Sequence, residues 1–394
     1  MKISKILFRE VNVPLRFQFA QSNNRASHTS SSAIVELHTT DGLVGFGEAC
    51  PRMYVTGESM QSMEKDLQGL SPQLADLRLE RMEDWRQQLT TWRQLGVGPS
   101  TLCALELAGI DLICQTHQRS LAQQFDLPET EEAITFSQVI PMFTPAKMEK
   151  LLERIQRLSP ASIKLKASDQ LQDNLDNLQL LRACFGSEVS IRFDVNAGWS
   201  LEQALDLIPT YLEYGVNSFE QPLPAEHYEG LQLLTQRFGD QARIMVDESL
   251  LTLKDAQYFL DHGIGNHFNL KISKLGGILP AKAIYELAAK HGVPCQLGAH
   301  FGESSLLTTA AVVLTKLAGP MTANEGALGE MLLEKDIIQP VVQQDDRGIL
   351  SVGPLLHQIG FSASLSSREL EAYTKHTRVF QSYRFEGLVK RLTA

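Results

Sequence analysis

Five charged residues, Lys166, Asp194, Glu220, Asp247 and Lys271, follow one another along the chain at intervals of 28, 26, 27 and 24 residues. Four of them lie in short runs in which polar or charged residues alternate with apolar ones: Ser162-Ile163-Lys164-Leu165-Lys166, Ile191-Arg192-Phe193-Asp194-Val195-Asn196, Ser218-Phe219-Glu220-Gln221-Pro222 and Asn269-Leu270-Lys271-Ile272-Ser273. Successive side chains of a strand point to opposite faces, so the charges share one face and the apolar residues the other. Three carboxylates brought together repel unless a cation sits among them, and hard oxygen donors with room for water and substrate suit Mg²⁺, with Mn²⁺ as an alternative. Lysines on either side of such a cation suit removal of a proton from carbon beside a carboxylate, the cation taking the enediolate charge. Each lysine must be neutral to act as a base. Burial, the cation and, for Lys166, the ammonium of Lys164 are expected to depress the pKa, and Lys164 itself reads as a clamp for the substrate carboxylate.

Taken singly these residues have bland explanations, since a strand-end Asp is commonly a helix cap and a Lys is commonly solvated. At consecutive strand ends, in the order base, three ligands, base, they have no comparably simple structural account. Asn196 and Glu248 stand beside ligand positions and either orient them or cap turns. His300, Glu303 and Glu325 fall just past the seventh and eighth strand ends, where they contact substrate or cap loops. Arg25, His28 and the Tyr54-Val55-Thr56-Gly57-Glu58 stretch fall in loops of the first segment placed to close over a mouth. Gly45-Phe46-Gly47-Glu48-Ala49-Cys50 lacks the third glycine of a dinucleotide loop and reads as turn chemistry, and no Walker loop, H-E-x-x-H or G-x-S-x-G occurs.

The elements that must position these residues form a repeat. Apolar strands, each followed by a segment of helical period, end near Gln138, Lys166, Asp194, Glu220, Asp247, Lys271, Leu297 and Asn324, 24 to 28 residues apart. Eight such ends predict a closed ring of parallel βα units, an α/β fold of the triose-isomerase barrel type, whose catalytic face lies at the strands' C-terminal ends. Ser200-Leu201-Glu202-Gln203 is a capping box, and Pro280 with Gly292 gives the Pro-first, Gly-last pattern of a helix. Before the repeat, residues 2–13 and 33–48 read as antiparallel strands, the second set a hairpin turning at Asp41-Gly42. Residues 58–117 turn helical, with Leu102, Leu105, Gly109, Leu112 and Ile113 as an apolar stripe. The chain thus divides into an α+β domain over 1–130, completed by 360–394 packing back, and a barrel over 131–359.

Composition narrows the partners. The chain has 394 residues, 36 basic against 46 acidic, for a net charge of -10. That balance argues against polyanions and anionic membranes and for a small molecule. Five cysteines with no C-x-x-C pair point to reduced thiols, and the absence of an apolar leader at residues 1–10 or a membrane-length run points to the cytoplasm.

Lys164-x-Lys166, Asp194-x-Asn196, Glu220-Gln221-Pro222, Asp247-Glu248-Ser249 and Lys271-Ile272-Ser273-Lys274-Leu275-Gly276-Gly277, with Gly45–Ala49 and the Ala104–Leu112 helix, resemble the muconate lactonizing enzyme subgroup of the enolase superfamily. The resemblance implies a capping domain over a (β/α)₇β barrel, Mg²⁺ on Asp194, Glu220 and Asp247, and acid/base roles for Lys166 and Lys271; such enzymes use a Lys or His base with Mg²⁺ and an enediolate. It also implies a homo-oligomer acting on a small carboxylate as racemase, epimerase or cycloisomerase of an amino-acid-like compound. A succinylbenzoate synthase-type dehydratase, an N-acylamino acid racemase and a non-catalytic metal-binding relative are the alternatives. Dipeptide epimerases of the subgroup carry Asp-x-Asp after strand eight, where this chain reads Thr322-Ala323-Asn324-Glu325-Gly326-Ala327.

Overall fold

In the computed structural model, which describes residues 1–20, 26–128, 133–362 and 365–381, the chain opens with three antiparallel strands, β1 (Ile3–Ala20), β2 (Ala26–Thr39) and β3 (Val44–Ala49). Alternation selects the buried face: Ile6, Phe8 and Val11 of β1 and Ala33, Val35 and Leu37 of β2 are wholly buried. The β2–β3 hairpin turns where Asp41-Gly42 predicts, with Gly42 at φ 92°. Across this sheet lies the helix Pro99–His117, whose residues from Ser100 to Cys114 are all buried. The expected stripe of five residues therefore understates the burial, because β3 covers one side of the helix and the Ile272–Leu275 turn packs on it elsewhere. Gly45 and Gly47 lie inside β3 rather than in the turn read from the sequence. Their role is close approach: a Cβ on Gly47 would stand 1.9 Å from the Ala104 carbonyl oxygen, and one on Gly45 2.2 Å from that of Ala108.

The next short strand, β4 (Ala133–Thr135), stands apart from the parallel set that follows. That set comprises β5 (Gln138–Ile140), β6 (Ser162–Lys166), β7 (Ser190–Asp194), β8 (Val216–Glu220), β9 (Arg243–Val246), β10 (His267–Leu270) and β11 (Cys295–Leu297), hydrogen-bonded in that order as one sheet. The eighth stave is shorter than the repeat predicts. Asn324 pairs with Leu297 by a single parallel bridge, while its carbonyl accepts from Ser137 N–H at 2.7 Å, and this closes the ring onto β5. Two further strands, β12 (Ile349–Ser351) and β13 (Thr374–Gln381), leave the barrel: β12 pairs antiparallel with β4, and β13 adds to the edge of β1 in a register from Lys5↔Gln381 to Val11↔Thr374. Among the described residues no helix is long and apolar enough to cross a membrane.

Outward residues of the staves bury against helices. Phe193 and Phe219 meet Tyr211 of the helix Leu201–Glu213 and the neighbouring Trp199; the Phe193 and Tyr211 rings lie 4.7 Å apart, edge to face, and the Tyr211 hydroxyl accepts from Asn174 Nδ2 at 2.8 Å. Rings of this size fix which way β7 and β8 face, so their alternate residues, Asp194 and Glu220, have to point inward. The helix Leu201–Glu213 starts at the capping box read from Ser200 and Gln203.

Buried carboxylates tie the N-terminal sheet and helices to the barrel. Glu106 accepts from the N–H groups of Ile278 and Leu279 at the start of the helix Ile278–Lys290. Glu48 accepts from Ser304 N–H, Ser304 Oγ and Leu307 N–H at the start of the helix Ser305–Ala318. Asp111 accepts from the N–H groups of Phe46, Phe361 and Ser362. Each satisfies orphan donors that a buried helix end or loop would otherwise leave unpaired. Burial pushes the Glu106 carboxyl up to about 8 despite its two donors. The folded chain thus keeps a proton that the unfolded chain loses above about 4.5, so Glu106's contribution to stability falls as pH rises from there toward 8. Relative to wild type, Glu106→Gln, which cannot ionise, is expected to lose less unfolding free energy between pH 5 and pH 8, a difference on the order of 1 kcal/mol or more by chemical denaturation. Parallel pH profiles for the two proteins would contradict this.

Candidate active site

The strand-end residues converge as their parity requires. Lys166, Asp194 and Glu220 stand in register on β6, β7 and β8, while Asp247 and Lys271 directly follow β9 and β10. With the ring closed through Asn324, β6 and β10 are separated by three staves on one side and by β11, the Asn324 bridge and β5 on the other. Lys166 and Lys271 therefore oppose each other across the mouth, and the three carboxylates fill the arc between them. All three acids are at most 1% exposed.

The carboxylates are held by ammonium groups. Lys166 Nζ donates to Asp194 Oδ2 at 2.9 Å and Asn196 Oδ1 at 2.6 Å. Lys164 Nζ contacts Asp194 Oδ2 at 3.2 Å, Glu220 Oε1 and Oε2 at 3.3 Å and Glu325 Oε2 at 2.5 Å. Lys271 Nζ donates to Asp247 Oδ2, and Lys274 Nζ donates to Asp247 Oδ1 at 2.6 Å and its carbonyl at 2.5 Å. Burial and the crowding of Asp194, Glu325 and Asp247 push Glu220 up to about 8, although Lys164 opposes the rise. For Asp194 and Asp247 burial acts upward, but the lysines win and hold both below the ordinary carboxylate range.

Burial lowers the pKa of Lys271, yet Asp247, Glu220, Glu248 and Asp194 outweigh burial and hold the ammonium well above its ordinary value. The same balance, with Glu220 and Glu325 leading, keeps Lys164 charged. Lys164, read as a substrate clamp, is 4% exposed and engaged with three acids inside the ring.

Asp194, Glu220 and Asp247 together offer hard, anionic oxygen donors and no sulfur or nitrogen, a set that fits Mg²⁺ or Mn²⁺. Among the described residues no three His, Cys, Asp or Glu side chains are drawn together closely enough to grip a metal ion as they stand; lysine ammonium groups occupy the space between the acids. The crowding that lifts Glu220 is relieved by positive charge, which is the sense in which the donors fit a divalent cation.

Other expected residues are placed as follows. Asn196, at φ 48°, links Lys166 to Glu248, its Nδ2 donating to Glu248 Oε1 at 3.3 Å. Burial beside Asp247 pushes Glu248 up to about 7. His300 lines the cavity, 5% exposed, with both ring nitrogens unpaired, and burial, then Lys271, holds it well below the usual imidazole range. Glu303 accepts from His300 N–H at 2.6 Å, and burial pushes it up to about 8. Tyr54 and Val55 line the cavity, whereas Thr56 bonds its Oγ1 to the Arg52 carbonyl at 3.4 Å. Glu58 caps the helix Pro99–His117 through Ser100 N–H and Oγ. His28 is exposed on β2 away from the cavity, and Arg25 lies outside the described residues.

Residue type alone did not single out four supporting groups. Gln221 spans β8 and β9, its Oε1 accepting from the N–H groups of Asp247 and Ser249. Lys274 grips Asp247 from below. Arg192 donates to Gln296 Oε1 and to Ser137 Oγ at 2.8 Å and pairs with Glu325 at 3.2 Å, and Asn269 Nδ2 donates to Glu220 Oε1 at 2.8 Å. For Arg192 and Asn269, inward parity on β7 and β10 was the available signal. Arg192→Leu is expected to cost about 3–5 kcal/mol of unfolding free energy, because Glu325 and Gln296 lose a buried partner, and Arg192→Leu/Glu325→Leu is expected to recover part of it. Equal stability of Arg192→Leu and wild type in denaturant titration would refute the buried pairing.

Family models match most of the chain. "Mandelate racemase / muconate lactonizing enzyme, N-terminal domain" covers residues 4–125, and "Enolase C-terminal domain-like" covers 147–363. The chain is 30% identical over 319 residues, 79% of its length and 84% of the relative's, to an L-Ala-D/L-Glu epimerase of Bacillus subtilis. It is 25% identical over 335 residues, 82% of its length and 88% of the relative's, to an N-succinyl-L-Arg/Lys racemase of Bacillus cereus. Its fold superposes on a dipeptide epimerase of Cytophaga hutchinsonii, solved with Mg and D-Ala-L-Val, with a TM-score of 0.85 at 24% identity, covering 97% of this chain and 100% of the other.

Proposed function

The chain belongs to the enolase superfamily, in its mandelate racemase and muconate lactonizing enzyme branch, and from that premise we propose that it is a divalent-metal-dependent racemase or epimerase of an amino-acid-like carboxylate, such as a dipeptide or an N-acyl amino acid. The observation that carries this reading is the opposition of Lys166 and Lys271 across an arc of three buried carboxylates. Inverting a stereocentre needs a proton taken from one face of a carbon and returned to the other, and two opposed amines meet that need without moving the substrate. A dehydration or lactonisation would use one of them as base.

Asp194, Glu220 and Asp247 would hold the metal, Mg²⁺ or Mn²⁺. When bound it would supply positive charge for the oxygens of an enediolate. The chain's own groups do the rest. Lys166 Nζ takes the α-proton of one enantiomer and Lys271 Nζ returns one to the opposite face, with the roles exchanged for the other enantiomer. Asn196 holds Lys166 on its side of the mouth through the 2.6 Å bond to Oδ1. Tyr54 and Val55 from the N-terminal loop cover the mouth and limit water at the reacting carbon.

Incubation with candidate substrates in D₂O tests the scheme. Lys166→Ala and Lys271→Ala are each expected to lower racemisation at least 10³-fold, while each retains α-proton exchange on the one enantiomer that its remaining lysine faces. Undiminished racemisation by either variant would refute the two-base scheme. Chelation by EDTA is expected to abolish turnover and Mg²⁺ or Mn²⁺ to restore it, whereas Asp247→Asn is expected to show at least 10-fold weaker divalent binding by calorimetry.

A further inference from the structure

The cavity at the barrel mouth, about 900 Å³ in volume, has two unlike ends. One runs out past the helix Pro145–Ile155, where the exposed Lys147, Lys150 and Arg154 line it. The other is closed, lying against the loop that follows β11 and lined by the buried His300, Gly302, Thr308, Ala327 and Leu332. The carboxylate of a substrate belongs to the arc of Asp194, Glu220 and Asp247, and its α-hydrogen to Lys166 or Lys271. The two remaining substituents of the reacting carbon therefore point to the β11–β5 side and out of the mouth. In an amino-acid-like carboxylate extended through its nitrogen, the nitrogen arm continues and takes the open end. The side chain terminates and takes the closed one.

At the closed end one side chain is unaccounted for. His300 is 5% exposed, and among the described residues neither Nδ1 nor Nε2 has a hydrogen-bonding partner. Its backbone, by contrast, is held. Glu303 Oε1 accepts from His300 N–H at 2.6 Å, Arg52 Nη2 donates to the Phe301 carbonyl at 2.9 Å, and Ser30 Oγ donates to the Gly302 carbonyl at 2.9 Å. A fixed loop thus presents a ring that the protein itself does not use. A buried donor and acceptor without partners are costly, so such a ring finds its use in a ligand. Burial, then Lys271 and Arg52, disfavour the imidazolium, and an uncharged imidazole offers one N–H and one lone pair. A carboxamide or hydroxyl supplies the matching acceptor and donor, whereas a methyl or thioether group has no donor. An ammonium would be pressed toward Lys271 and Arg52, and Glu325, committed to Lys164 and Arg192, would give it no counter-ion.

Resting on the racemase reading above, we propose that His300 determines side-chain specificity: its ring hydrogen-bonds an uncharged amide or hydroxyl on the substrate's side chain, which lies in the closed end of the cavity. The ring takes no part in the proton transfers.

Two near-isosteric pairs test this, N-acetylasparagine with N-acetylleucine and N-acetylglutamine with N-acetylmethionine, each followed by α-proton exchange in D₂O. In wild type, kcat/KM for the amide member of at least one pair is expected to exceed that of the apolar member roughly tenfold, since an apolar side chain leaves the buried ring unmatched. In His300→Leu that ratio is expected to fall to one or below, because the amide then faces an apolar wall. In His300→Gln, which keeps an uncharged donor and acceptor, it is expected to exceed the His300→Leu value. Each ratio is internal to one protein, so a smaller folded fraction in a variant leaves it unchanged. Ratios of one or below for both pairs in wild type, a ratio that His300→Leu leaves intact, or one that His300→Gln does not restore above the His300→Leu value, overturn the inference. If none of the four compounds exchanges in wild type, the racemase reading has failed, and calorimetry with Mg²⁺ present decides the contact by itself. Tighter binding of an amide member by wild type but not by His300→Leu supports it, and equal or undetectable binding overturns it.

Discussion

Charge placed inside a barrel has no water to fall back on, and every buried ion there must meet a counter-ion or a hydrogen bond. Most barrel interiors avoid the problem with branched apolar side chains. Here the interior and mouth hold Lys164, Lys166, Arg192, Lys271 and Lys274 against Asp194, Glu220, Asp247, Glu248 and Glu325, five formal charges of each sign. The ions are largely paired: Glu325 takes Lys164 and Arg192, Asp247 takes Lys271 and Lys274, and Asp194 takes Lys164 and Lys166, while Glu248 Oε2 and Arg192 Nε are buried without a partner. Such a network stabilises little relative to an apolar core and fixes geometry strongly, since displacing any member strands its partner. Function, not stability, is the physical reason to keep it.

The network also needs walls that do not move, and these come from outside the barrel. Glu106 caps the helix that follows Lys271, and the Cys50 N–H donates to Ser273 Oγ at 2.8 Å, so both ends of that short segment are gripped by the N-terminal part of the chain. Glu48 caps the helix that follows His300 and Glu303, and Arg52 donates to the carbonyl of Phe301 at 2.9 Å. Lys271 and the loop after β11 are thus positioned by residues more than 160 positions earlier in sequence. A substitution in the N-terminal sheet can reach the proton-transfer groups by this route without touching them.

Strand-end chemistry was legible because strand parity is strict: once Ile163 and Leu165 are assigned to the helix side, Lys164 and Lys166 have no other face to occupy. The even spacing of the runs gave the ring, and the ring gave the opposition of Lys166 and Lys271. Groups whose role depends on a distant partner were not legible. Glu48, Glu58, Glu106 and Asp111 lie in a strand, a loop and a helix of the sequence, yet the three glutamates are buried as helix caps and Asp111 is buried against β3 and loop N–H groups. Gly45 and Gly47 read as turn residues because a glycine required by a neighbouring helix looks the same in sequence as one required by its own φ. Parity says that Lys164 faces inward without saying what it meets there: it lines the cavity and also pairs with acids inside the ring. The interior partner that claims it, Glu325, comes from the eighth stave, which is a single bridge rather than a strand.

The protonation of Lys271 turns on which charges face it. Burial disfavours the ammonium, while the four carboxylates that face it outweigh burial and favour the charged form. A base must be released from that hold. Asp247 Oδ2, which accepts from Lys271, and Asp194 Oδ2, which accepts from Lys166, belong to the acids whose oxygens suit a divalent cation. A divalent cation held there would draw on the same lone pairs as the ammonium groups, and at equal distance its double charge would give the larger Coulomb energy. Charge drawn onto those oxygens is charge no longer stabilising the ammonium. The acids that hold the Lys271 ammonium in this arrangement are thus among those whose oxygens a divalent cation would engage.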